Sequence, residues 1–460
     1  MAPAETHDDW TFVNSIEPRL LRSQFQREAQ EEIRTTNGTV AIYHPDKVRK
    51  FLSECKISSI CETMGLSLCD DSTDSRAIRK SFLKTTPAKI HKRFCLILGI
   101  LIETKWTDVL PCFVHDRLND QALEGDSFQR ERFRQFHERH GLPPDFSTDF
   151  WRAKKSFFLP KIRSGEHHVI RKDDLLPVSF LAKPLGRGSH GVVYAGNLIP
   201  GLHWSDETQT PVAAKKFNTS NDRNIEYDKI QKFAAHPFVL PALCTIDHGS
   251  SYYILFPRCK TSLRDLFKVN ECTNSPAEML QHYVGLLGAL AFLHRDQREV
   301  WNYHFDIKTS NILVKYNGVF VLIDFGTAYS KTKLGSQDSG TEAGKHSYSA
   351  EYKAPESGKI GRKFDVWAIG CIGIELLVWI KEGARGVRSF QKSRQKDIPR
   401  SEMDRTPYYY VGNSLAPSVH KKLRILSADF PGEVDILRRM LKIDPSNRIT
   451  AETAHKRFED

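Results

Sequence analysis

Asp306, Lys308, Asn311 and Asp324 are the residues whose types and spacing point most directly to chemistry. The first three lie in the run Tyr303, His304, Phe305, Asp306, Ile307, Lys308, Thr309, Ser310, Asn311, and Asp324, Phe325 and Gly326 follow thirteen residues after Asn311. An aspartate, a lysine two places on, an asparagine five on and a second aspartate eighteen on supply the polar groups that phosphoryl transfer from Mg·ATP uses. That reaction asks a protein to position a hydroxyl, hold Mg²⁺ and neutralise charge spreading over the γ-phosphate, with little covalent chemistry of its own.

Such groups need elements that carry them to one place. In Leu185 to Tyr194, Gly186, Gly188 and Gly191 alternate with apolar strand residues including Val193, a pattern that lets a hairpin's backbone close over phosphates without side-chain obstruction. Taken alone, a glycine-rich turn is a weak signal. Val212, Ala213, Ala214, Lys215 reads as a strand ending in a lysine able to reach α- and β-phosphates, or in a plain surface lysine, and Glu226 on the following helical segment is the best carboxylate to orient it. Asp222 and Asp228 are substitutes, and i,i+4 surface pairing is the plainer explanation for all three. Tyr252 to Phe256 reads as a buried strand, after which Pro257, Arg258 and Cys259 form a connection able to offer backbone hydrogen bonds to an adenine edge.

From about Val178 onward the chain resembles a eukaryotic-type protein kinase of the Ser/Thr branch. The resemblance rests on the glycine loop, Lys215, Asp306 with Asn311, Asp324 with Phe325 and Gly326, Ala354 with Pro355 and Glu356, and Asp365 with Trp367 and Gly370, in that order. It implies that Asp306 accepts or orients the substrate hydroxyl and that Lys308 steadies the γ-phosphate. Asn311 and Asp324 would hold two Mg²⁺ ions, with Mn²⁺ an alternative metal. Glu356 would pair with Arg448, and Asp365 would anchor the catalytic-loop backbone.

Three departures qualify the likeness. His294, Arg295, Asp296 spells the family's catalytic tripeptide better than His304, Phe305, Asp306, but Asp296 has Arg298 at plus two and Trp301 at plus five, so no asparagine is in register. Phe305 stands where most members carry the arginine that docks a phosphorylated activation loop, as in the non-RD kinases. Modification of Ser336, Ser339, Thr341 or Ser347 would then not be read through this position. Finally, Gly201 to Thr210 lengthens the hairpin before Lys215, and only eleven residues separate Lys215 from Glu226, which makes Glu226 the loosest assignment.

Composition sets the outer bounds. The 460 residues are 40% apolar and 27% charged, ordinary for globular protein. Nine scattered cysteines show neither a Cys-x-x-Cys pair nor zinc spacing, as expected of reduced thiols inside a cell, in cytoplasm or nucleus. The acidic, polar start does not read as a secretory signal, and the apolar run Phe94 to Ile102 is too short for a membrane span, whose helix needs about 20 residues. A buried helix explains that run. Net charge is +2 over residues 1–175 and +9 over 176–460, with seven basic and two acidic residues between Lys381 and Arg400. That stretch reads as a solvated insertion or, more sharply, as a surface for an acidic partner, a substrate or nucleic-acid phosphate, with nucleic acid not the expected partner of the chain.

From Asp46 to Trp151 apolar residues recur at helical intervals. That periodicity predicts an all-α domain over 1–156, followed by a linker over 157–175, and the kinase resemblance implies an α+β, bilobal fold over 176–460 with a small β-rich lobe and a larger helical lobe. The expected partner is a protein substrate, with a regulatory protein docking on the helical domain. The alternative is a pseudokinase scaffold that binds partners through that domain, and a small-molecule kinase is a third reading that Lys308 and Ala354 to Glu356 argue against.

Overall fold

The computed structural model describes residues 18–35, 38–65, 73–124, 130–188, 191–204, 210–270, 274–295, 300–332, 341–342, 349–399 and 406–459. The chain forms two compact units, one of Met1–Arg163, Val169–Lys183 and Gly196–Thr210, the other of Ser164–His168, Pro184–Ala195 and Pro211–Asp460.

The first unit is helical, as its periodicity leads one to expect, with one addition. Strands β1 (Gln30–Thr35) and β2 (Gly38–Tyr43) pair antiparallel from Gln30 opposite Tyr43 to Thr35 opposite Gly38. Ile33, Ile42 and Tyr43 are buried from this hairpin, so the region expected to be all-α carries one strand pair, ahead of Asp46 where the helical periodicity begins. The run that began at Phe94 is the helix Cys95–Thr104, buried from Cys95 through Ile102. Its start is stabilised by the buried Asp120 carboxylate, which accepts the N–H groups of Leu96 at 3.1 Å and Ile97 at 3.0 Å. Phe133 and Phe136 lie in the same core with Phe113, Phe146 and Phe150.

Strands β3 (His167–Ile170), β4 (Val178–Gly188), β5 (Gly191–Leu198), β6 (Thr210–Phe217), β7 (Cys244–His248) and β8 (Ser251–Pro257) form a sheet of order β3-β7-β8-β6-β5-β4. Helix α1 (Ser220–Phe233) starts three residues after β6 ends and is capped by Thr219, whose hydroxyl accepts the Asp222 N–H. Helix α2 (Pro276–His294) opens with a capping box formed by Ser275 and Glu278. The rest is mainly helical, around α3 (Arg362–Asp397), whose residues Phe364 through Trp379 are all buried.

The basic stretch from Lys381 continues α3 past Gly383 (φ 64°, ψ −166°); Lys381, Arg385, Arg388, Lys392 and Lys396 are exposed, as a solvated stretch would have them, but the Arg394 side chain is fully buried. Gly383 absorbs a non-helical backbone step that turns the helix's second half back onto the core. Lys381 pairs with Asp429, and Lys422 with Glu382, so part of the charge excess is neutralised locally. Among the described residues no helix is long and apolar enough to cross a membrane.

Candidate active site

Lys215 lies near the end of β6, opposite Ile254 of β8. Its Nζ donates to Glu226 Oε1 at 2.6 Å and Oε2 at 2.8 Å, and to Asp324 Oδ1 at 2.9 Å. The short interval to Glu226 suffices because only two residues join β6 to α1, and Glu226 then faces inward within the helix's second turn, 2% exposed. Burial works against the Lys215 charge, but Glu226 and Asp324 outweigh it and hold the ammonium above its ordinary pKa. Burial likewise works to raise the Asp324 carboxyl, and the Lys215 charge and hydrogen bond overcome it, holding that carboxyl below the usual range.

Asp324 has left-handed backbone (φ 64°) and opens a single 3₁₀ turn, Phe325–Thr327. A non-glycine residue stays there only if its surroundings enforce it. Phe325 does so, stacking on Phe233 of α1 at 5.5 Å and packing on His304 at 5.1 Å. Lys229, one turn past Glu226, donates to the Gly326 carbonyl at 3.2 Å, so α1 grips the segment at two further points.

Beneath it, the loop through Asp306 is fixed by Asp365 at the start of α3. Asp365 is wholly buried and accepts the backbone N–H of His304 at 2.9 Å and of Phe305 at 2.8 Å, with His294 Nε2 at 2.9 Å as a third partner. Phe305 is also left-handed (φ 64°), its ring stacked on Tyr303 at 4.9 Å. The His304 Nδ1 accepts the Asp306 N–H at 3.3 Å, so the neutral ring carries its proton on Nε2 and donates it to Ile323 O at 3.2 Å. Burial pulls the His304 pKa down and outweighs Asp365, Asp306 and Asp324 nearby.

These restraints bring Asp306, Lys308 and Asn311 together. Lys308 Nζ donates to Asp306 Oδ2 at 2.6 Å, and Asn311 Nδ2 donates to the Asp306 carbonyl at 2.9 Å and to Oδ2 at 3.0 Å. Both amide protons of Asn311 thus point at Asp306, which leaves its Oδ1 as the acceptor face. Among the described residues no cluster of three or more His, Cys, Asp or Glu has metal-site geometry. Mg²⁺ does not need one, since it binds through one or two protein oxygens plus substrate phosphates and water. Asn311 Oδ1 and the partly exposed Asp324 carboxylate fit that donor set.

The remaining sequence-named residues fall as follows. Gly186 and Gly188 end β4 with open space beside them, whereas Gly191 (φ 153°) starts β5 so close to the Lys216 carbonyl that a Cβ would lie 2.1 Å from it. Val193 is half-buried on β5. Ser189 and His190 lie outside the described residues. Cys259 follows β8: Arg258 N–H bonds Pro211 O and Lys260 N–H bonds Val314 O, while the Cys259 peptide between them belongs to no strand. Its thiol packs with Leu240 and Val321, and burial pushes it up to about 11, so the backbone rather than the sulfur is its available chemistry.

Glu356 accepts both Arg448 guanidinium arms, Nη1 and Nη2, at 2.9 Å each, with Arg448 fully buried. His294 of the rival tripeptide is engaged by Asp365, and Asp296 lies outside the described residues, as do Ser336, Ser339 and Ser347. Residues that sequence reasoning passed over are Lys229, Thr309, Tyr352, Glu375 and Arg394. They lie far apart in the chain and carry no mutual spacing that could have flagged them.

A family model described as "Protein kinase domain" matches residues 181–458. Among curated proteins, Cyclin-dependent kinase D-1 of Arabidopsis thaliana is 26% identical over 59% of this chain and 68% of its own length. Mitogen-activated protein kinase homolog NTF3 of Nicotiana tabacum is 26% identical over 58% of this chain and 74% of its own. Extracellular signal-regulated kinase 2 of Dictyostelium discoideum is 27% identical over 63% and 79%. The family model leaves the helical region before residue 181 unmatched.

Proposed function

The chain belongs to the protein kinase family, and on that premise we propose that it transfers the γ-phosphate of Mg·ATP to Ser or Thr hydroxyls of protein substrates. The observation that carries this reading is the shared ion pair of Lys215: one ammonium held between Glu226 of α1 and Asp324 of the Asp-Phe-Gly segment. A lysine fixed on two sides samples few rotamers, so its charge is already placed where nucleotide phosphates would lie under the Gly186–Gly191 loop.

Asp306 accepts or orients the attacking hydroxyl. Lys308, bonded to Asp306 Oδ2, supplies a positive charge at the same point, and Asn311 holds the Asp306 carboxylate in place through Nδ2. When Mg²⁺ is bound, through Asn311 Oδ1 and Asp324, it neutralises charge on the phosphate oxygens. Lys308, two places after Asp306, and Ser349, seven before Glu356, support the Ser/Thr assignment. The adenine edge is assigned to the Cys259 peptide. We assign 1–156 to a separate helical domain that recruits a regulatory protein, 157–175 to a linker and 176–460 to the kinase domain, with an intracellular setting.

The test is Mg²⁺-dependent transfer of labelled phosphate from ATP to the protein itself or to a generic basic protein. Transfer should disappear in Asp306→Asn and Lys215→Met. ATP binding with no transfer by the wild type, under conditions where a control kinase works, would establish the pseudokinase scaffold instead. Deleting residues 1–170 should change the set of bound partners.

A further inference from the structure

We infer that Arg394 is a positioning residue for the catalytic loop, acting through Glu375, Tyr352 and Thr309; in its effect on rate this rests on the phosphotransfer reading above. Arg394 Nη2 donates to Glu351 Oε1 at 2.9 Å and Glu375 Oε1 at 3.1 Å, and Nε donates to Pro407 O at 3.1 Å. The guanidinium lies over the Tyr409 ring at 4.0 Å and the Phe390 ring at 4.4 Å, so the cation is enclosed by aromatic faces as well as carboxylates.

Glu375 also accepts the Tyr409 hydroxyl at 2.7 Å and the Tyr352 hydroxyl at 2.8 Å. A tyrosine hydroxyl has one proton, and that of Tyr352 goes to Glu375; the Thr309 hydroxyl, 3.1 Å away, is therefore the donor to Tyr352. Thr309 follows Lys308 directly and opens the turn Thr309–Asn311. A continuous hydrogen-bonded chain thus runs from the second half of α3 to Thr309, one of the two residues between Lys308 and Asn311, the groups that touch Asp306.

The cation is what makes this chain stable. Glu375 is buried and Glu351 half-buried beside it, so without a cation between them their like charges repel and ionisation of both is disfavoured. Burial and Glu375 push the Glu351 carboxyl up while Arg394 opposes them. Without Arg394, one carboxyl takes a proton or turns away, Glu375 no longer fixes the direction of the Tyr352 hydroxyl, and Thr309 loses its acceptor. Because a guanidinium is planar with a fixed fork of donors, free guanidinium can refill the space that Arg394→Ala leaves, whereas a sodium ion cannot.

The experiment uses the full chain with Arg394→Ala and Tyr352→Phe, the latter keeping every charge. Both should lower kcat, on the order of 10²-fold for a displaced loop, and change KM for ATP less than kcat, because Lys215, Glu226 and Asp324 lie outside the network although Asn311 lies in the turn it holds. Millimolar guanidinium should restore kcat in Arg394→Ala but not in Tyr352→Phe, and sodium or urea should restore neither. Wild-type kcat in both variants overturns the inference, as does a folded, slow Arg394→Ala that guanidinium does not rescue. If Arg394→Ala fails to fold, Tyr352→Phe decides by its kcat. If the wild type transfers no phosphate, the kinase reading fails separately, and hydrogen exchange over Tyr303–Asn311 judges this one. Faster exchange in Tyr352→Phe supports it; unchanged exchange overturns it.

Discussion

Replacing Asp365 should loosen the catalytic loop by an amount that can be worked from its contacts. Its two carboxylate oxygens accept Phe305 N–H at 2.8 Å, His304 N–H at 2.9 Å and a contact from His294 at 2.9 Å, all in a site closed to water. In Asp365→Asn one oxygen becomes an NH₂ group facing a backbone N–H, so at least one donor is left unsatisfied, at about 1–3 kcal/mol, on top of a lost charge-assisted bond. Phe305 is left-handed, a conformation that costs a non-glycine residue about 1–2 kcal/mol and that these bonds hold in place. A local loss of about 2–3 kcal/mol corresponds to roughly 30- to 150-fold faster exchange of the His304 and Phe305 amides. Native-state hydrogen exchange resolved to single amides reads this directly, and kcat should fall with it. Asp365→Asn with wild-type protection at Phe305 would refute the claim that this carboxylate holds the loop.

The three loop glycines should separate by role. Gly191→Ala places a Cβ 2.1 Å from the Lys216 carbonyl at φ 153° and should lower the melting temperature, while Gly186→Ala and Gly188→Ala, with open space beside them, should leave it unchanged and weaken ATP binding. Acid should destabilise the protein through His304, His236, His282 and His167, whose pKa values burial lowers in each case. Below about pH 6.5 the unfolded chain takes up these protons before the folded one, so stability is lost as pH falls from there toward the folded pKa values. Denaturant titrations between pH 7.5 and pH 5.5 should show that slope, shallower in His304→Leu. Phe305 offers a stacked ring rather than a cation, so phosphatase-treated and phosphorylated enzyme should have equal specific activity; strict dependence on a phosphate between Asp324 and Glu356 would contradict that.

Much of the site was legible in the chain because its groups are close in sequence or follow a fixed order. Asp306, Lys308 and Asn311 fall within one loop, so their spacing alone brings them into reach, and the strand character of Val212 to Lys215 locates the lysine. The Glu226 pairing was less legible, because whether eleven residues suffice depends on how soon α1 starts after β6. The two intervening residues and the Thr219 cap answer that only in three dimensions. The β1–β2 hairpin was hidden for another reason: two six-residue strands ahead of the helical run, with one buried residue in β1, leave too few alternations to stand out.

Sequence by itself determined the chemistry: which carboxylates, cation and amide are present, in what order, and that Phe305 is no arginine. Local backbone geometry makes such spacings meaningful before any tertiary contact forms. Only the tertiary structure decided which charges are free. Arg394 reads as one more cation in a basic run, yet it is sealed between Glu351, Glu375 and two aromatic rings, and His294 in the better-spelled tripeptide is a partner of Asp365. Burial and long-range pairing set the meaning of a charge, because removing water changes its energy far more than any neighbour in sequence does.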